Sequence, residues 1–166
     1  MKKSLSTLLI FIILISIFSF NASATSYDNA TENEIIISET TDYFSDGSSI
    51  TTTITQKIDG ISTYATTKTV SGSKTSTIKN SDGNILFKFK INGTFSVNIG
   101  VSATCTAVSC GASDLASGWS LDSYTTSKSG NIARATGVFK HTVLFVTNVT
   151  QEVTNTLSCD ANGVLS

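Results

Sequence analysis

The stretch ILFKFKINGTFSVNIGVSATC, residues 85 to 105, constrains the fold more than any other part of the chain. Every odd position from Ile85 to Cys105 is apolar or glycine, the two-residue beat of a β-strand with one face buried. Asn92-Gly93, a strong two-residue hairpin signal, sits in its middle. Register decides between strand and hairpin. A turn at Asn92-Gly93 would set Ile91 against Thr94 and Phe89 against Ser96, placing polar groups beside buried aromatics. An uninterrupted strand keeps Phe87, Phe89, Ile91, Phe95, Val97, Ile99 and Val101 on one inner face. At ~3.3 Å per residue such a strand would run ~70 Å, too long for a compact domain. A bend or bulge near Gly93 or Gly100 must therefore break it, and the expectation is a strand that crosses from one sheet to another at Gly93.

The same periodicity recurs on both sides. Glu34 to Ser38 reads as a short first strand. Ile50, Ile54 and Ile58 then alternate with Thr51, Thr53, Thr55 and Lys57 up to Asp59-Gly60. A hairpin there pairs Ile58 with Ile61 and sets Ile54 opposite Ala65, keeping apolar residues on one face. Trp119 and Leu121 open a further strand, Ser127 to Asn131 is a loop, and Ala133, Ala135, Gly137 and Phe139 alternate inward. The apolar run Val143 to Val146 forms a turn or a fully buried segment. In the last strand Val149, Val153, Leu157 and Cys159 point inward, while Thr150, Glu152, Thr154, Thr156 and Ser158 point out. No helical period competes, so residues 34 to 166 are expected to form one antiparallel β-sandwich, with a partly closed barrel as the alternative.

The N-terminus reads as an export signal: Lys2 and Lys3 precede an apolar run from Leu8 to Phe20 that ends in Ala22-Ser23-Ala24. Residues 1 to 24 would be removed, and polar, aperiodic residues 25 to 33 would form a flexible leader. Of 11 basic residues against 12 acidic ones, two lie in that signal, so the mature chain is acidic and has no basic run. Nucleic acid and anionic lipid are poor partners for such a surface. Release to the extracellular medium is the expected localisation. Disulfides persist there, but three cysteines leave one over. Parity turns Cys105 and Cys159 into the same core and favours a bridge between them over the local pair Cys105 and Cys110. Cys110 is then a free thiol or a point of dimerisation.

The segments NGTFSV (92 to 97), ATCTA (103 to 107), GWSLDSYTTSKSGNIARATGVFKH (118 to 141) and TNTLSCDANGVLS (154 to 166) resemble a set of small secreted β-rich proteins of Gram-positive bacteria, to which no activity is attached. The resemblance implies export, a shared β fold and a regular pairing of Cys105 with Cys159. Cys110 departs from that pattern.

Chemistry-bearing residues are sparse. His141 is the one histidine, which excludes a His-rich metal site, and no Gly-x-Ser-x-Gly elbow accompanies it. Asp114, Asp122 and Glu152 fall on loops and solvent faces, unsuited to a glycosidase carboxylate pair. Asp59-Gly60 and Ser81-Asp82-Gly83-Asn84 carry too few spaced oxygen ligands for calcium and read as turns. A lysine-to-asparagine cross-link requires a buried lysine, and Lys88 and Lys90 have outward parity. No catalytic residue, metal or cofactor is therefore expected. Trp119 and Tyr124, each beside a polar loop, are the aromatic candidates for a recognition surface, with packing between sheets as the competing role of Trp119. The expected function is that of a non-enzymatic extracellular binding or adhesion module for a glycan or surface protein. The alternative is a small membrane-active toxin or antagonist acting through the Ser48 to Thr77 hairpin. That hairpin carries only Ile50, Ile54 and Ile58 on its lipid face and is better read as a soluble edge hairpin.

Overall fold

A computed structural model describes residues 34–57, 66–144 and 146–166; the expected signal, the leader and the Asp59-Gly60 turn lie outside the described residues. Eight strands run β1 (Glu34–Tyr43), β2 (Ser49–Lys57), β3 (Thr67–Lys79), β4 (Ile85–Asn98), β5 (Ser102–Ser113), β6 (Trp119–Ser129), β7 (Ile132–Val143) and β8 (Val146–Ser158). Each pairs antiparallel with its sequence neighbour within one of two sheets, β1-β2-β3-β4-β5 and β6-β7-β8. Their inner faces share one buried cluster, as two layers around a common apolar interior require. The architecture is the expected two-sheet antiparallel sandwich, not a closed barrel.

β4 answers the question posed by its sequence. It runs unbroken through Asn92-Gly93, and Phe87, Phe89, Ile91, Phe95 and Val97 are fully buried at 0% exposure. Each such side chain contributes about 1.5–3 kcal/mol of burial. The strand does not change sheets at Gly93, contrary to expectation. It stays in the five-stranded sheet and ends in a tight turn, where Val101 N donates to Asn98 O at 2.9 Å and Gly100 takes φ 75°. Ile99 and Val101 consequently lie outside, 47% and 71% exposed. Gly93 serves packing rather than turning: a Cβ there would come within 2.8 Å of the Phe95 ring and 3.1 Å of Leu157 Cδ2. Its cross-strand partner is Gly72, where a Cβ would collide with Thr55 O and Leu165 Cδ1. The glycine pair makes a dent in the sheet that two leucines fill.

The register of β2 also differs from expectation. Ile54 stands opposite Lys74 on β3, not Ala65, because β3 begins only at Thr67. The Ser48 to Thr77 segment is not an edge hairpin either, since β2 is bonded by β1 and β3, and β3 in turn by β4. The run Val143 to Val146 is a hairpin tip and not a buried segment: Val143 pairs with Val146, and both are exposed.

Bulges reset the parity that simple alternation assumes. Phe95 faces Cys105 while Thr94 faces Ala107, leaving Thr106 as the extra residue. Its hydroxyl donates back to Thr94 O at 3.0 Å. Both Cys105 and, beyond the bulge, Val108, Cys110 and Ala112 therefore turn inward. A second bulge at Asp122 shifts β6 in the same way, so Tyr124 pairs with Gly137.

The C-terminal residues close the core at the end opposite the β7–β8 tip. Asp160 Oδ1 accepts from the N–H groups of Asn162 and Val164 at 2.9 and 2.8 Å, and the resulting turn brings Leu165 back beside Cys159. Leu165 is 1% exposed, seated over Gly72.

Candidate functional surface

The outward side chains of the five-stranded sheet fall into cross-strand rows set by the register. One row reads Thr41, Thr51, Thr77, Lys88, Ser113; the next, Glu39, Thr53, Thr75, Lys90, Gly111. A third continues Thr55, Ser73, Asn92, Ser109, in which Ser73 is itself buried, at 3% exposure. Threonine fits here for two reasons, since its branched Cβ favours the strand and its hydroxyl keeps the face hydrated. The hydroxyls are organised by one another: Thr41 and Thr51 Oγ1 are 3.0 Å apart, Thr55 Oγ1 and Ser73 Oγ 2.9 Å, and Thr53 Oγ1 donates to Glu39 Oε2 at 3.1 Å. Lys88 is paired with Asp114 at 2.7 Å. Lys90 and Asn92, at the centre, are exposed.

The cysteines do not form the expected bridge. All three thiols are free and no pair stands at disulfide distance. The reason is the β6–β7 turn, which lies between the two strand ends: Cys105 N donates to Gly130 O at 2.7 Å, and Cys159 N donates to Asn131 O at 3.1 Å. Burial raises the Cys105 and Cys110 thiol pKa values, and burial together with the Asp160 carboxylate pushes Cys159 up to about 11. At neutral pH all three are protonated and poor nucleophiles.

Trp119 sits at the rim of the core, its ring 5.0 Å from Phe87 and 5.2 Å from His141, a packing role. Tyr124 is 59% exposed on edge strand β6. The two are not brought together on one face with the hydroxyl rows. His141 Nδ1 lies 2.9 Å from Asn148 Oδ1, and no nucleophile or carboxylate adjoins this pair among the hydrogen bonds of the described residues. Asp122 is held by Lys140 at 2.9 Å. No cluster of three metal-ligating side chains occurs among the described residues.

Sequence reasoning missed two inward polar residues. Asn155 is 2% exposed; its Oδ1 accepts from Ser76 Oγ at 2.6 Å and its Nδ2 donates to Phe89 O at 2.8 Å. This amide ties β8 to β3 and β4 across the core. Lys74 is the inward, half-buried lysine, and burial lowers its pKa. Both occupy inward positions of their strands, so alternation was the available signal. A cross-link between them is disfavoured: both ends of the Asn155 amide are engaged, and no carboxylate is buried among the described residues.

No protein family, curated protein or solved structure matches the chain.

Proposed function

We propose that the chain is an exported, non-enzymatic binding module that recognises glycan outside the cell through the outer face of its five-stranded sheet. The observation that carries this reading is the set of hydroxyl and amide rows on that face. Sugar hydroxyls both donate and accept hydrogen bonds, and threonine and serine offer the same dual groups. Strands ~4.8 Å apart present them in a regular two-dimensional array. The array is already ordered by hydrogen bonding between its own side chains, so little rotamer freedom is lost on binding. Lys90 supplies a charge-assisted donor at the centre. The signal-like N-terminus supports export, and the acidic mature composition favours an uncharged or weakly charged polysaccharide over nucleic acid.

A glycan array and a pull-down on isolated bacterial walls test this. The mature chain is expected to bind at least one glycan fraction. The triple variant Thr53→Ala, Thr75→Ala, Asn92→Ala should lose tenfold or more, at about 1 kcal/mol per hydrogen bond. Failure to bind any glycan or wall fraction would remove the proposal.

A further inference from the structure

The β7–β8 tip breaks two general rules for exposed turns. Each of the other described hairpin turns places a glycine at positive φ: Gly47, Gly83, Gly100, Gly130 and, in the C-terminal turn, Gly163. At the β7–β8 tip, where Val143 pairs with Val146, the positive-φ residue is Leu144, at φ 48°. A bulky side chain is disfavoured in that conformation, and glycine or asparagine is the ordinary solution. The second rule concerns water. Val143, Leu144, Val146 and Val149 are 47%, 87%, 65% and 44% exposed, and the sequence from Thr142 to Gln151 contains no charged residue. Local turn chemistry and solvation both oppose leucine here, so neither accounts for it.

We infer that this tip is an anchor that inserts into the interface of a neutral lipid bilayer. Its shape selects the occupant. It is a hairpin end closed by the Val143–Val146 pair and extending past the start of β6, where Thr142 N donates to Gly118 O at 2.9 Å. A few side chains cannot supply the ~800 Å² per partner of a standard protein interface. A bilayer sets no such threshold, because affinity grows with each apolar side chain that enters it. Thr142, Thr147, Asn148 and Thr150 flank the apolar tip with uncharged hydrogen-bonding groups suited to headgroup depth. The lipid is neutral because exposed carboxylates lie at the same end, Asp46 in the β1–β2 turn and Asp82 in the β3–β4 turn. The tip is also far shorter than the ~9–11 residues a strand needs to span a bilayer, so it attaches without perforating. This inference concerns a different surface from the hydroxyl face and stands independently of it.

The test is co-sedimentation of the mature chain with phosphatidylcholine vesicles, with dye release followed in parallel. Binding without leakage, unchanged by 0.5 M salt or by added phosphatidylglycerol, is expected. Leu144→Asn should weaken binding about tenfold, while its melting temperature holds or rises by roughly 2–4 °C through relief of the turn. Val146→Thr, which leaves the turn residue unchanged, should also weaken binding. Absence of binding, dependence on anionic lipid, leakage at binding concentrations, or wild-type binding by Leu144→Asn would each overturn the inference.

Discussion

Asn155 shows what one buried amide does in a sandwich of this size. Its oxygen and nitrogen satisfy Ser76 and the Phe89 carbonyl. Removing it leaves buried polar groups with no partner, at about 1–3 kcal/mol for each group left unsatisfied. Asn155→Ala should lower unfolding free energy by roughly 2–4 kcal/mol in urea titration. Gly72→Ala should be at least as severe, because the added Cβ meets the Thr55 carbonyl oxygen, a backbone atom that cannot swing aside. Gly111→Ala, where nothing lies within 4 Å, is the near-neutral control. Lys74 gives a pH signature. Burial lowers its pKa from the ordinary 10.5, so the unfolded chain holds its proton more tightly, and the charged form costs stability at neutral pH. That cost fades as pH rises from the folded pKa toward 10.5, the window in which stability increases. Lys74→Met should therefore melt higher than wild type at pH 7, with the gain shrinking at pH 10. Alternation along β8 and β3 carries the inward direction of Asn155 and Lys74, although polar residues at such positions escape a search for apolar ones. It could not pair Asn155 with Ser76, which lies 79 residues away.

Strands and turns were legible to the extent that local chemistry fixes them. The inward series of β4 and β7, and of β8 from Val153 onward, follow from period-two alternation, whereas Val149, expected inside, is 44% exposed; Gly130 marks the β6–β7 turn, although Ser127 to Ser129, expected in that loop, extend β6. Bulges were not legible, since one extra residue such as Thr106 leaves no compositional trace yet turns Cys110 from the outer to the inner face. Gly93 misled for a related reason: glycine can mark a turn or a site of close packing, and only the positions of Phe95 and Leu157 distinguish the two. The C-terminal element makes its own prediction. Backbone N–H groups, that of Val164 foremost, lower the Asp160 pKa below 3.8. Its contribution is present in full above that value and is lost as pH falls through the folded pKa. Deleting residues 160 to 166 removes Leu165 from over Gly72, and should cost about 2–3 kcal/mol from that leucine alone, measurable as a lower urea midpoint.

At the scale of the molecule, the eight strands of the described residues separate their chemistry between faces. Phenylalanines and branched side chains fill the interior, while threonine, serine and asparagine occupy the outer side of the larger sheet. Fold class was readable because both patterns share one period. The proposed glycan-binding face was not, because its rows exist only once register joins residues from successive strands. The central claim is that these rows are where glycan binds. Amide chemical shifts recorded while isotope-labelled mature protein is titrated with the tightest-binding wall fragment test it most directly. The account predicts shifts clustered at Thr53, Thr75, Lys90 and Asn92, with β6 to β8 unmoved. Shifts concentrated around Tyr124 on β6, with the five-stranded sheet silent, would contradict it.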